Sequence, residues 1–388
     1  MVLECAWTWI PHLWDTKIRI HKLHFDMRDL PQEILIDILS RLPGDCVLEC
    51  RRVCKQWLAL ISTPSFVEMH LKRATSVFLV QVCRDFSHEK FDMFIFDEGA
   101  KANKKFKKMD AKLMNFEASL MPRLCGSCDG LLVFCQTSPN VSFVYNPLTG
   151  ENVSIRNPVP SSADCAVCGF FFHPISKDYK LLFVHKKGIR FGYFIYSLGS
   201  QLWRKLDDFS YQPRSLACSI LNGALHWMVK RNEHGLNPPC SNSIMIFNMD
   251  TEEFRHMPHP GAKCSSSWVH NSAYIFERKG KLAFCSVSDK QFVYVWVLED
   301  YEKWIWVEGY LINLHMDVEP HITIVNIQDD ELLFMWGSIG VFRCNMRQNA
   351  VKQIRKVGLK KLLRWYAFDF IGIIIPYTMT FVSPSGFK

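Results

Sequence analysis

The chain has 388 residues, 48% of them hydrophobic and 22% charged. That balance supports a buried core and excludes a disordered polyelectrolyte. At ~150 residues per domain the length fits two or three units, although a propeller of this size counts as one. The net charge of +8 arises from 46 basic and 38 acidic residues that are mostly interleaved, so nucleic acid is not an expected partner.

Residues 1–28 form a leader expected to be poorly ordered, with Met27 standing as an alternative start. Met1 to Asp15 holds no uninterrupted apolar core followed by a cleavage site. The longest late apolar run, Phe368 to Tyr377, is broken by Asp369 and Pro376 and falls short of the ~20 residues a membrane span needs. No membrane partner is expected. The 15 cysteines are an odd count, and without a secretory signal they are expected to stay reduced, in the cytoplasm and/or nucleus.

Residues 29–74 read as a small helical module. Leu30, Ile34, Leu35, Ile38, Leu39 and Leu42 recur at helical spacing. Pro31 falls in a first turn and Glu33 lies near the positive helix end. Pro43 and Gly44 stop the run. A second helix is expected over Asp45 to Arg52, a third carries Trp57, Leu58 and Ile61, and Thr63-Pro64 starts a fourth. A module under about 70 residues needs outside help to cover its apolar surface.

These residues carry a resemblance. Leu30-Pro31-Gln32-Glu33-Ile34-Leu35, Ile38 to Pro43, Arg52 to Trp57 and Leu60 to Phe66 closely resemble the F-box. The resemblance implies that the module binds a Skp-type adaptor and, through it, cullin and RING subunits. It assigns Leu30, Pro31, Ile34, Leu35, Ile38, Leu42, Val53 and Trp57 to positions that build or support that contact, with Leu39 and Ile61 as core. The stretch Gly44 to Cys50 departs from the family pattern. Gly44 would loosen the helix start and Asp45 and Glu49 would oppose the usual charges, which points to weaker adaptor binding; Asp45 equally fits a helix cap.

The rest is rich in β-favouring residues, with 29 Phe and 12 Trp in the chain. The dense run Lys101, Lys104, Lys105, Lys107 and Lys108 reads as a solvated hairpin loop. Turn tetrapeptides end at residues 99, 150, 200, 251, 301 and 348, close to the ~50-residue period of kelch-like blades. A strand marked by Gly or Asp precedes each later turn, at Gly130, Asp178, Gly223, Gly280 and Asp330, and another follows it, as at Leu202 to Leu206. Five clear blades and a weaker one over Ser76 to Phe116 suggest six, with a closing strand among Trp365 to Phe370. The fold class is therefore α+β multidomain: an F-box over 29–74, an all-β propeller over 75–370 and a C-terminal tail over 371–388.

Cys125 to Leu132, Tyr145 to Gly150, Gly169 to Pro174 and Leu221 to Trp227 resemble the F-box-associated domain of plant F-box proteins, a likeness running from about Ala74 to Val357. It implies a kelch-like propeller that recruits a target protein. Rival chemistry is weaker. Cys125-x-x-Cys128 and Cys165-x-x-Cys168 have zinc-pair spacing but lie on strands of different blades. Gly126-Ser127-Cys128-Asp129-Gly130 looks like a nucleophile elbow, which needs a helix after it where this sequence has a β run. His173 and His226 sit inside repeat motifs and read as packing groups. No catalytic residue, metal or cofactor is assigned. The resulting expectation is a non-enzymatic substrate adaptor of a Skp–cullin–F-box ubiquitin ligase; the alternative is a non-ligase kelch-like protein-binding scaffold with a weakened F-box.

Overall fold

The computed structural model describes residues 30–83, 91–96, 106–109, 122–136, 140–160, 165–214, 218–231, 239–261, 264, 267–287, 292–314, 322–336, 340–355 and 373–385. The leader 1–28, the turn at 97–99, Lys101, Lys104, Lys105 and the segment Trp365–Phe370 lie outside them.

Four helices open the described chain: α1 (Gln32–Leu39), α2 (Gly44–Cys50), α3 (Lys55–Ile61) and α4 (Pro64–Arg73). Each start has a local cause. Pro31 is the N-cap of α1, just outside the first turn, and its carbonyl receives the Ile34 and Leu35 amides at 3.1 Å. Pro43 plays the same part for α2. Asp45 lies inside α2 and bonds the Cys46 amide at 3.0 Å, so it is not the cap. Cys54 caps α3 through its sulfur. Thr63 accepts the Phe66 amide at 3.3 Å with Pro64 at the first helical position, the expected cap-plus-proline start.

Six four-stranded antiparallel sheets follow. Blade 1 contains β1 (Ser76–Cys83), β2 (Phe91–Phe96) and β3 (Phe106–Met109), completed by β24 (Ile373–Thr378). Blade 2 is β4 (Arg123–Cys128), β5 (Leu131–Gln136), β6 (Val141–Tyr145) and β7 (Asn152–Arg156). Blade 3 is β8 (Cys165–His173), β9 (Asp178–Lys187), β10 (Arg190–Ser197) and β11 (Leu202–Lys205). Blade 4 is β12 (Ser219–Leu221), β13 (Ala224–Met228), β14 (Ile244–Asn248) and β15 (Phe254–Met257). Blade 5 is β16 (Ala273–Arg278), β17 (Lys281–Val287), β18 (Phe292–Asp300) and β19 (Ile305–Asn313), preceded by the short helix α5 (Ser267–Asn271). Blade 6 is β20 (Ile322–Gln328), β21 (Glu331–Trp336), β22 (Gly340–Asn345) and β23 (Ala350–Arg355).

The expected glycine-marked strands are the second strands of their blades, and most of the turn tetrapeptides join third to fourth strands. In blade 5 that turn falls at 301–304, just after the expected Leu298 to Tyr301. The first-to-second hairpins turn on Asp129-Gly130, Asn222-Gly223 and Lys279-Gly280, each pair with positive φ at both residues. That geometry suits the right-handed strand twist of a tight hairpin. Apolar clusters join blade 1 to 2, 2 to 3, 3 to 4, 4 to 5 and 5 to 6.

The closing strand corrects the expected boundary. β24 pairs with β1 from Ser76↔Thr378 to Gln81↔Ile373, so residues 373–378, assigned above to a tail, belong to the propeller. Its Pro376 lacks an N–H, which an interior strand would need. β24 is the first strand in its sheet's order and bonds only β1, so a proline is tolerated there.

Candidate partner-binding site

The helical module splits its apolar residues between two surfaces. Leu35 and Leu39 are 1% exposed, and they cluster with Val47, Phe66, Val67, Phe381 and Val382. The same cluster runs on into blade 2 through Leu131 and Val144. Trp57 and Ile61 are also buried in it, and Leu30 and Leu42 pack half-buried against it. Pro31, the N-cap, stands at i with Ile34 and Ile38 of α1 at i+3 and i+7, another stripe of the helix. Pro31 is exposed, Ile34 is 47% exposed and Ile38 is half-buried; Val53 and Leu58 are 50% and 41% exposed. Of the eight residues that the resemblance assigns to adaptor binding, Leu35 and Trp57 are buried in the core. Pro31, Ile34 and Val53 present apolar surface to solvent. Leu58, read above only as an apolar position of the third helix, is exposed as well, on the face next to Trp57.

The buried side is held by the C-terminal segment that follows β24. Asn146 donates its amide to the Thr380 and Val382 carbonyls at 2.9 and 2.7 Å. The His70 ring meets Phe381 edge-on at 5.5 Å, and Arg51 lies over the same ring. A Cβ on Gly44 would stand 2.9 Å from the Met379 carbonyl oxygen and 3.1 Å from Leu148. Gly44 is therefore set by close packing of α2 on the propeller, a different cause from the loosened helix start expected above.

These contacts also orient the ring. Asn146 and Leu148 belong to the third-to-fourth turn of blade 2, and Asp129 to its first-to-second turn; Thr380 bonds the Asp129 carbonyl. Both turn types lie at one end of each blade, so the helical module sits at that end. Second-to-third loops and inter-blade connections emerge at the opposite end, away from it.

Repeat-motif residues near the occupied end tie neighbouring blades together. Tyr179 donates to Asp129 at 2.9 Å, linking blade 3 to 2. His173 donates from Nε2 to Asp250 at 2.9 Å, linking blade 3 to 4. His226 faces the Ser219 carbonyl with Nδ1, which must donate, and accepts the Tyr301 hydroxyl on Nε2 at 2.8 Å, linking blade 4 to 5. Arg278 pairs with Asp330 at 2.9 Å, linking blade 5 to 6. Packing and alignment account for both histidines.

Gly126 to Gly130 is a hairpin between β4 and β5, with no helix after Cys128. Burial raises the thiols of Cys125, Cys128 and Cys168 well above their usual range, which keeps them protonated. Among the described residues none of the three joins a group of converging metal ligands.

Comparison with known proteins agrees with this architecture. The family described as F-box associated beta propeller domain matches residues 77–368, and the F-box-like family matches residues 27–68. The F-box protein At5g65850 of Arabidopsis thaliana is 26% identical over 288 residues, covering 71% of this chain and 69% of its own. The F-box protein At3g22700 of the same plant is 26% identical over 251 residues, covering 60% and 71%. Among solved structures, TolB from Acinetobacter baumannii aligns over 76% of this chain and 69% of its own, with 11% identity and a TM-score of 0.42. With a four-helix module and a six-bladed ring that each match in place, the chain belongs to the F-box proteins that carry an F-box-associated β-propeller domain.

Proposed function

We propose that this chain is the substrate-choosing adaptor of a Skp–cullin–F-box ubiquitin ligase, working in the cytoplasm and/or nucleus. The observation that carries the reading is the divided F-box. One apolar side is anchored on the propeller, and a second, at Pro31, Ile34, Val53 and Leu58, stays open to solvent. Exposed apolar side chains on a small module suit a permanent partner. A Skp-type adaptor would cover them and bring cullin and RING subunits with it. The target protein would bind at the propeller end away from the F-box. Holding both on one chain raises the target's effective concentration near the transferred ubiquitin, and no side chain here has to make or break a bond.

The test is co-purification with a Skp-type adaptor. Ile34→Asp with Val53→Asp should abolish capture while the melting temperature stays near that of the parent, because both positions are already solvated. Full capture by the folded double variant would overturn the contact assignment.

A further inference from the structure

At the end of the ring away from the F-box, one second-to-third loop and one inter-blade connection converge on a group of sulfur and nitrogen atoms. Cys240 lies in a short 3-10 turn (Cys240–Asn242) between β13 and β14. His259 and Cys264 follow β15, and His270 lies on α5. One ligand atom from each of Cys240, His259 and Cys264 lies within 4.8 Å of the other two. Cys264 Sγ is 3.2 Å from His259 Nε2 and 3.8 Å from His270 Nδ1. In a tetrahedral zinc site with Zn–S near 2.3 Å and Zn–N near 2.05 Å, sulfur and nitrogen ligands stand about 3.6 Å apart.

The surroundings fix the atoms that a metal would need. His259 Nδ1 lies 2.7 Å from the Pro260 carbonyl and His270 Nε2 lies 2.9 Å from the Val229 carbonyl. A carbonyl can only accept, so each ring donates there and leaves its lone-pair nitrogen facing Cys264. A hydrogen bond of this kind from the far ring nitrogen to a carbonyl orients metal-bound histidines. Cys240 Sγ receives the Cys264 amide and the Arg231 guanidinium, each at 3.4 Å. Asn271 bonds the Arg231 amide and carbonyl at 3.2 and 2.9 Å, so α5 is already docked on this loop.

We infer that Cys240, His259, Cys264 and His270 form a structural zinc site that staples the β13–β14 loop to the connection between blades 4 and 5. Two cysteine sulfurs and one imidazole already converge, and His270, outside that group of three but 3.8 Å from Cys264, is placed to complete the set; sulfur and nitrogen donors favour zinc over the hard cations. The site departs from the expectation of no metal. Its ligands are separated by 19, 5 and 6 positions, a spacing unlike the compact cysteine pairs that sequence reading weighs. The site has no bearing on adaptor binding, so its fate and that of the ligase proposal are independent.

The test uses tag-free, full-length reduced protein that has never met a chelator. Elemental analysis should find about one zinc per chain, removable by chelation with a fall in melting temperature. Cys240→Ser with Cys264→Ser should lose the metal, whereas Cys125→Ser with Cys128→Ser should keep it. If the first double variant fails to fold, cobalt(II) titration of the metal-stripped parent decides, with thiolate charge-transfer and tetrahedral d–d bands expected. Three results would each overturn the site: neither zinc nor a cobalt–thiolate band in the parent, full zinc in a folded Cys240/Cys264 double variant, or a native Cys240–Cys264 disulfide.

Discussion

Gly44 departs from the F-box pattern for a reason that lies in the far C-terminal segment. The Met379 carbonyl occupies the space a side chain would take. Gly44→Ala should therefore force α2 off the propeller at a cost of about 1–3 kcal/mol, read by denaturant titration, with amide exchange rising in α2 and at 379–382. An unchanged midpoint and exchange pattern would remove the packing explanation. His226 offers a second single-residue test. It is 1% exposed, and burial pushes its pKa from 6.5 down to about 4. The unfolded chain takes up this proton near 6.5 and the folded chain does not. The neutral ring thus stabilises the fold fully above pH 6.5, and that contribution is lost as pH falls toward about 4. The gap is worth on the order of 3 kcal/mol. His226→Gln should flatten the fall in melting temperature between pH 6.5 and 4 relative to the parent. Parallel slopes would show that another group sets the acid sensitivity.

Elements differ in how plainly they announce themselves. The F-box helices were legible because apolar spacing, Thr63-Pro64 and the prolines before α1 and α2 all act locally. The second strands were legible as well: β5 and β13 are buried along their whole length and follow a positive-φ turn. Two first strands were not: β4 reads Arg-Leu-Cys-Gly-Ser-Cys and β12 has only three residues, too little apolar pattern to mark a strand, whereas β8 and β20 carry plain apolar runs. The proposed adaptor surface was legible as residue types but not as a division of labour, since α1 is apolar on two stripes and only packing decides which one is covered. That division predicts contrasting variants. Leu35→Ala should cost about 2–5 kcal/mol of stability, while Ile34→Ala should stay within about 0.5 kcal/mol and still weaken adaptor capture. Equal stability losses in urea titrations would mean that both stripes are core.

On the scale of the whole molecule, the last described residues perform two jobs in sequence, and truncation separates them. β24 supplies the inner strand of blade 1, burying Ile375 and Tyr377, and then Phe381 and Val382 wedge between the F-box and blade 2. A chain ending at Ser383 keeps both and should melt like the parent. One ending at Met379 keeps the strand but loses the wedge. Removing two buried apolar side chains should cost about 1.5–3 kcal/mol each, and proteolysis should then cleave between Arg73 and Ser76 while the ring survives. One ending at residue 372 loses the strand as well and leaves β1 with an unpaired edge at the centre of the ring. Because blades bury their faces only against neighbours, this loss should spread, giving a broad, low-temperature melt and aggregation through the open edge. The three chains form a graded series, compared by calorimetry and limited proteolysis. If the shortest melted cooperatively near the full-length temperature, the ring would not depend on β24 for closure, and blades 2 to 6 would have to be stable as an open arc.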